Sequence, residues 1–451
     1  GSTGTDGLHH LLVEIFDKNL YQDEDLLPLF KDILGLGTAK PFDCVGTFGE
    51  AQTALHMAQE KFADDFIMAQ LSGPTAPSAV RHAKEVFKTN KESLVPAAFS
   101  LLGMENALIL GYGREGKVTE EYLKKEYPNI KVGIADEKEG AGYLSKQEEY
   151  DIAIKTPGVK KELVMILHTS ATNLFFSKVL EKHTVVGITG SKGKSTTTSL
   201  IFEMLKEAGK PVALLGNIGK PMLEALLHPI TQGQIFVVEL SSYQLDDIQF
   251  SPDIAVVTNL FPEHMDYHGG LGNYYKAKKH SIDFQSKNEY FVYNQKNRDV
   301  KDWLQDYAGK AVPFSKSISV NPREIPLLGK HNQDNIKAAI AVARILKVKD
   351  EAIKRAIKNF RPLPHRLENV GTFDGITFYD DAISTTPEST ILAIESLKKV
   401  DTIFLGGEDR GYDFSQLEKI IRKYKIRNIV LFPDSGDKIL KSKKNLNILR
   451  T

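Results

Sequence analysis

From Asn106 onward the chain repeats one unit: a short apolar run without polar alternation, a turn, then a stretch of helical spacing. "NALIL", "KVGIAD", "YDIAIKT", "TVVGITG", "IFVVELS" and "DIAVVTNL" are such runs, and "GITFYDDA", "DTIFLGG" and "IRNIVLF" follow. A strand with one wet face alternates polar and apolar residues; a continuously apolar strand is covered on both faces. Strands of this kind separated by helices predict an α/β protein built on parallel sheets. Residues 1–104 read differently. "LHHLLVEIFDKNL", "DEDLLPLFKDILGL" and "GEAQTALHMAQEKFADDFIMAQL" place apolar residues at helical spacing, which predicts an all-α module. A length of 451 residues allows about two to four domains. The expected boundaries are 1–104, 105–183, 184–362 and 363–451, with "EKH" before a new strand and two prolines in "RPLPHR" as the markers.

Charge excludes several classes of partner. Lys and Arg number 58, and so do Asp and Glu, so no basic excess favours a nucleic acid or an anionic membrane. The single cysteine, Cys44, rules out an intrachain disulfide. No apolar run approaches the roughly 20 residues that span a bilayer, and the N-terminus lacks a signal-peptide pattern. A cytoplasmic location is expected, with small molecules as partners, no nucleic acid and no membrane.

The strongest chemical signal is "GITGSKGKSTTTSL" at 187–200. The common phosphate loop, G-x-x-x-x-G-K-[ST], needs a glycine where this chain has Ile188. Gly187, Gly190 and Gly193 keep a three-residue rhythm instead. The strand–loop–helix context still suits phosphate: glycines let N–H groups turn around an anion, and a helix N-terminus adds its positive end. Candidates here are Gly190, Ser191, Lys192, Gly193, Lys194, Ser195 and Thr196, with Lys194 reaching terminal phosphates and the Ser195 hydroxyl available to Mg²⁺.

Two further features surround it. "GYGREG", with Gly111, Gly113 and Gly116, follows the strand "NALIL", and Asp136 lies 20 residues beyond Gly116. Alone this is either a dinucleotide fingerprint or a tight turn; its physical content is a helix N-terminus for a diphosphate and a carboxylate for a ribose or base donor. Glu239 ends the strand "IFVVEL", and His264 follows "DIAVVTNL". Strand C-termini in parallel sheets face the ligand crevice, so Glu239 and His264 form a partial cage for Mg²⁺, or His264 is an ordinary loop histidine.

Together these stretches resemble the Mur ligases, ATP-dependent amide-forming enzymes of peptidoglycan precursor synthesis. "GITGSKGKSTTT", "GNIG", "VVELSSYQL", "HMDYHGGLGNYYKAK", "GKHNQDNIKAA" and "LPHRLE" follow the family's order, and the resemblance runs from about residue 105 to the end. "ELSSYQL" and "YDDAISTTPEST" favour the D-glutamate-adding branch. The resemblance implies a UDP-binding Rossmann-like domain at 105–183, a central P-loop ATPase domain at 184–362 and a partial Rossmann-like amino-acid domain at 363–451. It implies ATP and two Mg²⁺ sites, with UDP-N-acetylmuramoyl-L-alanine and D-glutamate as substrates. By position, Lys194, Ser195 and Thr196 would hold phosphates and Mg²⁺, and Glu239 and His264 a second Mg²⁺. Lys278 matches a lysine that the family carbamylates. Asn335, Arg366 and Asp381 match ATP contacts. Gly113, Arg114, Glu115, Asp136 and Asn217 would lie at the UDP end, so the fingerprint is expected to hold uridine diphosphate rather than NAD.

The chain departs from the family in two places. A family lysine two residues after the aspartate is Ile383 here; Thr385 and Arg410 remain as candidates for the amino acid, Arg410 as a bidentate carboxylate partner or a solvated loop residue. Only two strands, "DTIFLGG" and "RNIVLF", are read after Asp381, so the C-terminal domain is expected to be incomplete. The alternatives are another Mur ligase or a folylpolyglutamate synthetase-like enzyme, or a truncated nucleotide-binding fusion without turnover, the 1–104 module being a fusion partner or appendage of unrecognised family.

Overall fold

The structure is a computed structural model that describes residues 104–450 apart from 141, 315–319, 322, 323, 410 and 443. The helical reading of 1–104 thus lies outside the described residues except for Met104. The described residues divide into two compact units, one holding 104–194 together with Lys210–Pro313, the other Ser195–Gly209 together with 314–450.

The first unit contains two parallel sheets. Strands β1 (Asn106–Leu110), β2 (Lys131–Ala135), β3 (Ile152–Lys155) and β4 (His168–Ser170) form a sheet of order β2-β1-β3-β4. Strands β5 (Thr184–Thr189), β6 (Val212–Gly216), β7 (Ile235–Glu239), β8 (Ile254–Val257), β9 (Tyr290–Tyr293) and β10 (Lys310–Pro313) form a second sheet, β10-β9-β8-β5-β7-β6. Every residue of β3, β7 and β8 is buried, the burial that continuous apolar runs require. The chain reverses its direction of travel beside β1 in the first sheet and beside β5 in the second. Ligand crevices open at such switch points, at the strand C-termini. The "GYGREG" turn leaves β1 and the "GSKGKS" loop leaves β5.

Helix α1 (Arg114–Glu126) follows the first turn, α2 (Ala171–Val179) follows β4, and α3 (Lys194–Glu207) follows the second loop. Ser170 caps α2 by accepting a hydrogen bond from the Asn173 amide. One apolar cluster runs from Ala107 and Ile109 through Phe175, Phe176, Phe236 and Val238, so the two sheets of this unit share a core. Helix α4 (Leu271–Asp283) buries Tyr274 and Lys278.

In the second unit, α5 (Lys330–Ile345) and α6 (Asp350–Asn359) precede strands β11 (Glu368–Phe373) and β12 (Ile376–Asp380). This pair corrects the expectation of uniformly parallel strands: "GITFYDDA" pairs antiparallel with "ENVGTF". The reason is local. Asp374 and Gly375 both take positive φ, 50° and 80°, the two-residue turn that matches strand twist in a tight hairpin. After α7 (Pro387–Leu397) come β13 (Thr402–Gly407), α8 (Ser415–Lys423), β14 (Asn428–Asp434) and β15 (Asn447–Arg450), a parallel sheet of order β13-β14-β15. The expected two strands after Asp381 are therefore three; "NILR" is too short and polar to read as a buried strand.

Candidate functional site

The loop after β5 is built from its glycine outward. Gly190 has φ +135°, and a Cβ there would lie 2.1 Å from the Thr258 hydroxyl. Thr258 and Asn259, directly after β8, fasten the loop: Thr258 Oγ1 donates to the Lys192 carbonyl at 2.7 Å and Asn259 Nδ2 donates to it at 3.0 Å. The Ser191 amide donates to the Asn259 carbonyl at 2.9 Å, and the Lys192 amide to Asn259 Oδ1 at 2.9 Å. The segment after β8 thus takes two of the loop amides, those of Ser191 and Lys192. Ser191 is buried, its hydroxyl 2.9 Å from that of Tyr274, and it acts as a brace. The Lys192 ammonium is 2.5 Å from Glu263. Lys194 folds over the loop, donating to the carbonyls of Gly190 at 2.8 Å and Ser191 at 2.9 Å.

Glu239 closes β7 with 1% exposure. Its Oε1 accepts from Asn217 Nδ2 at 3.1 Å, while its Oε2 is buried with no hydrogen-bond partner. A buried carboxylate oxygen without a donor calls for a cation. That fits Mg²⁺, which takes oxygen ligands. Lys278, also 1% exposed, donates to Thr189 Oγ1 at 3.4 Å and lies 4.9 Å from the Tyr274 ring centre. Burial, reinforced by the Lys194 charge, pushes the Lys278 ammonium well below the ordinary lysine range, against the pull of Glu263 and Glu239. A neutral amine is the form that adds CO₂, and the resulting carbamate offers oxygen where the ammonium offers none. His264 sits in the left-handed region at φ 53°, its Nδ1 2.9 Å from the Tyr243 hydroxyl. Burial and the charges of Lys194, Lys278 and Lys192 lower its pKa despite Glu263, keeping the imidazole neutral.

A cleft of about 420 Å³ opens beside these groups, lined by Arg114, Glu115, Pro157, Gly158, Gly216, Asn217, Pro221, Ser241, Tyr243, Gln244 and Tyr267. It collects the N-terminus of α1, the turn after β3, the end of β6 and the segment after β7. Arg114, Glu115 and Asn217 thus share one cleft. Gly113 and Asp136 are not among its lining residues. Asp136 braces the fingerprint turn, accepting from the Tyr112 amide at 2.6 Å and the Lys138 amide at 3.2 Å. Gly116 explains the turn's closeness: a Cβ there would lie 2.4 Å from the Gly111 carbonyl. Ser241, Tyr243, Gln244 and Tyr267 were not singled out from sequence, although they lie inside "ELSSYQL" and "HMDYH".

In the second unit, Ser195 and Thr196 are buried in the first turn of α3. Arg366 Nη2 donates to Ser195 Oγ at 3.0 Å. Thr197 Oγ1 donates to Asn335 Oδ1 at 3.3 Å, and Asn335 donates to Asn332 at 2.9 Å. Asp381 accepts from the Leu367 amide at 2.9 Å and the Ser384 hydroxyl at 2.5 Å. Burial raises its pKa against those bonds and the Arg366 charge. Thr385 and Ile383 are exposed, and Arg410 lies outside the described residues. Among the described residues no helix is long and apolar enough to cross a membrane.

Comparison with known proteins agrees with the geometry. The model of the Mur ligase middle domain matches residues 188–321. A second model, that of the MurL C-terminal domain, from an epimerase family, matches residues 8–86, the segment for which the sequence reading found no family. The UDP-N-acetylmuramoylalanine–D-glutamate ligase of Oenococcus oeni is 35% identical over 346 residues, covering 69% of this chain and 78% of that protein. The ligase of the same name from Bacillus cereus is 31% identical over 398 residues, covering 77% and 87%. Among solved structures, the MurF ligase of Thermotoga maritima in complex with ADP is similar at a TM-score of 0.52 and 16% identity, covering 76% of this chain and 85% of that one. With buried Glu239 at the end of β7, buried Lys278 on α4 and relatives of this identity and coverage, the chain belongs to the Mur ligase family.

Proposed function

We propose that this protein is an ATP-dependent, ADP-forming ligase that joins D-glutamate to UDP-N-acetylmuramoyl-L-alanine in peptidoglycan precursor synthesis, a cytoplasmic reaction on small molecules. The observation that carries the reading is the group at the C-terminal ends of β5 and β7. Lys194 crosses the phosphate loop, Glu239 keeps an unpartnered buried oxygen, and Lys278 is a buried amine within electrostatic reach of both. Mg²⁺, when bound, supplies charge neutralisation and in-line orientation to phosphoryl transfer.

The chain's own residues manage anions. The substrate carboxylate attacks the γ-phosphate, forming an acyl phosphate and ADP; the glutamate amine then attacks the acyl carbon, and phosphate leaves. Lys194 and the N-terminus of α3 stabilise the charge that shifts toward the leaving ADP oxygen. Glu239 and a carbamylated Lys278 would hold Mg²⁺ in the first unit, and the Ser195 hydroxyl would be a metal donor in the second. His264, neutral and oriented by Tyr243, positions substrate. Arg366 and Asn335 contact nucleotide, and Asp381 its ribose end. The cleft from Arg114 to Asn217 takes the UDP end, and Thr385 and Arg410 meet the amino acid. Catalysis here is positioning and charge stabilisation, without a covalent enzyme intermediate.

A second reading concerns stereochemistry. It is favoured by the epimerase-family match at 8–86 and by Ile383 in the lysine position. A chain carrying part of an epimerase is suited to ligating L-glutamate, with inversion afterwards. One experiment tests both: incubate the full chain with ATP, Mg²⁺, UDP-N-acetylmuramoyl-L-alanine and either enantiomer of glutamate, then measure ADP and the product mass. Product with D-glutamate supports the first reading, and product with L-glutamate alone supports the second. Product with neither refutes the assignment of glutamate.

A further inference from the structure

Beneath the cleft lies a buried ionic cluster that the ligase chemistry does not use. Lys155, at the end of β3, is 1% exposed, and its ammonium is 3.4 Å from Asp247 Oδ2. His168 Nε2, on β4, reaches the same oxygen at 3.6 Å. Burial works to raise the Asp247 carboxyl, but Lys155 and His168 outweigh it and hold it at about 2. Asp247 therefore claims the Lys155 charge. Glu115, the second residue of α1, faces the same lysine, and its Oε1 is buried without a hydrogen-bond partner. Two part-buried carboxylates thus share one buried lysine, and away from bulk water only one of them ionises cheaply.

The surroundings of Glu115 sharpen the point. Gly113 gives α1 no side-chain cap, so the N-terminus of this 13-residue helix is open to an anion, and Arg114 stands beside it in the cleft wall. A diphosphate held there would repel a carboxylate at Glu115 and accept a hydrogen bond from a carboxylic acid. We propose that Glu115 acts as an un-ionised acid in this cleft, donating a hydrogen bond to the diphosphate of the nucleotide-linked substrate, so that binding takes up a proton. This rests on the reading of the cleft as the UDP end. Burial first, and Asp247 after it, raise the Glu115 carboxyl to about 7 against the pull of Lys155 and a hydrogen bond from Gln244. The other groups facing it from the packed elements are Arg114, His168 through Asp247, and the neutral hydroxyls of Tyr243 and Tyr267. A carboxylic acid kept neutral near pH 7 as a donor to a developing or bound anion is a known use of an apolar site.

The test is calorimetric titration of the full chain with UDP-N-acetylmuramoyl-L-alanine, without ATP, from pH 6 to pH 8 in two buffers of different ionisation enthalpy. The diphosphate diester does not titrate in this window. A single group at about 7 that must be protonated predicts that Kd weakens about tenfold from pH 6 to pH 8, with net proton uptake. Glu115→Gln, the isostere of the acid, should abolish the uptake, flatten the pH dependence and bind about tenfold more tightly than the parent at pH 8. A pH-independent Kd in the parent overturns the inference while leaving the cleft assignment intact. So does a Glu115→Gln variant that keeps the parent slope, which would assign the pH dependence to a group other than Glu115. So does one that melts normally yet binds weakly at every pH. No binding at any pH removes the UDP-site reading and the inference together.

Discussion

Replacing Gly190 with alanine isolates what the loop after β5 depends on. Gly190 occupies φ +135°, a region that residues with a Cβ rarely enter. Forcing alanine there costs roughly 1–3 kcal/mol of backbone strain. The new methyl would also lie 2.1 Å from Thr258 Oγ1 and 3.0 Å from the Asn259 carbonyl. Thr258 can yield only by giving up the one hydroxyl hydrogen that it shares between the Lys192 carbonyl at 2.7 Å and the Thr189 carbonyl at 3.3 Å, about 1 kcal/mol. The sum is about 2–4 kcal/mol, or a drop in melting temperature on the order of 10 °C for the unit that holds the loop. Two other glycines separate the contributions. Gly209→Ala, at φ +69° with open space around it, should cost about 1–2 kcal/mol from strain alone. Gly142→Ala, at φ −87° with nothing within 4 Å, should stay within about 0.5 kcal/mol. Thermal melts of the three variants, with ATP turnover alongside, give the order. If Gly190→Ala melts with Gly142→Ala, the argument that Thr258 and Asn259 fasten the loop is wrong.

Lys278→Ala should abolish turnover while the fold survives, and the native enzyme should lose activity in CO₂-depleted buffer and regain it with bicarbonate; CO₂-independent activity would remove the carbamate from the account. Lys278→Arg should not rescue, because a guanidinium stays charged and adds no CO₂. Arg366→Lys should raise the KM for ATP about tenfold or more, since a charged hydrogen bond is worth roughly 1.5–3 kcal/mol; an unchanged KM would mean that its bond to Ser195 is merely structural.

The parallel sheets of the first unit were legible because burial on both faces writes itself as uninterrupted apolar sequence, as in "IFVVE" and "IAVV". The three-residue strand "HTS" and the solvent-facing "KAVP" carry no such signature. The hairpin at Asp374-Gly375 was readable from its turn dipeptide, yet the apolar run "ITFY" outweighed that cue. At the site, Lys194, Glu239 and Lys278 stand in motifs whose spacing the sequence preserves. Thr258 and Asn259 fasten the loop from another strand, and their role appears only when β8 lies against β5. Lys155, Asp247 and Glu115 come from three separate elements, and no local pattern marks the shared charge. Asp136 braces the fingerprint turn through the Tyr112 amide, a bond that its sequence position alone does not reveal.

The central claim is that ATP is spent on activating a substrate carboxylate. It is tested most directly by labelling that carboxylate of UDP-N-acetylmuramoyl-L-alanine with oxygen-18 and following turnover with ATP and glutamate. The account predicts one labelled oxygen in the released inorganic phosphate, with ADP as the other product. Unlabelled phosphate, or label appearing in AMP, would contradict it.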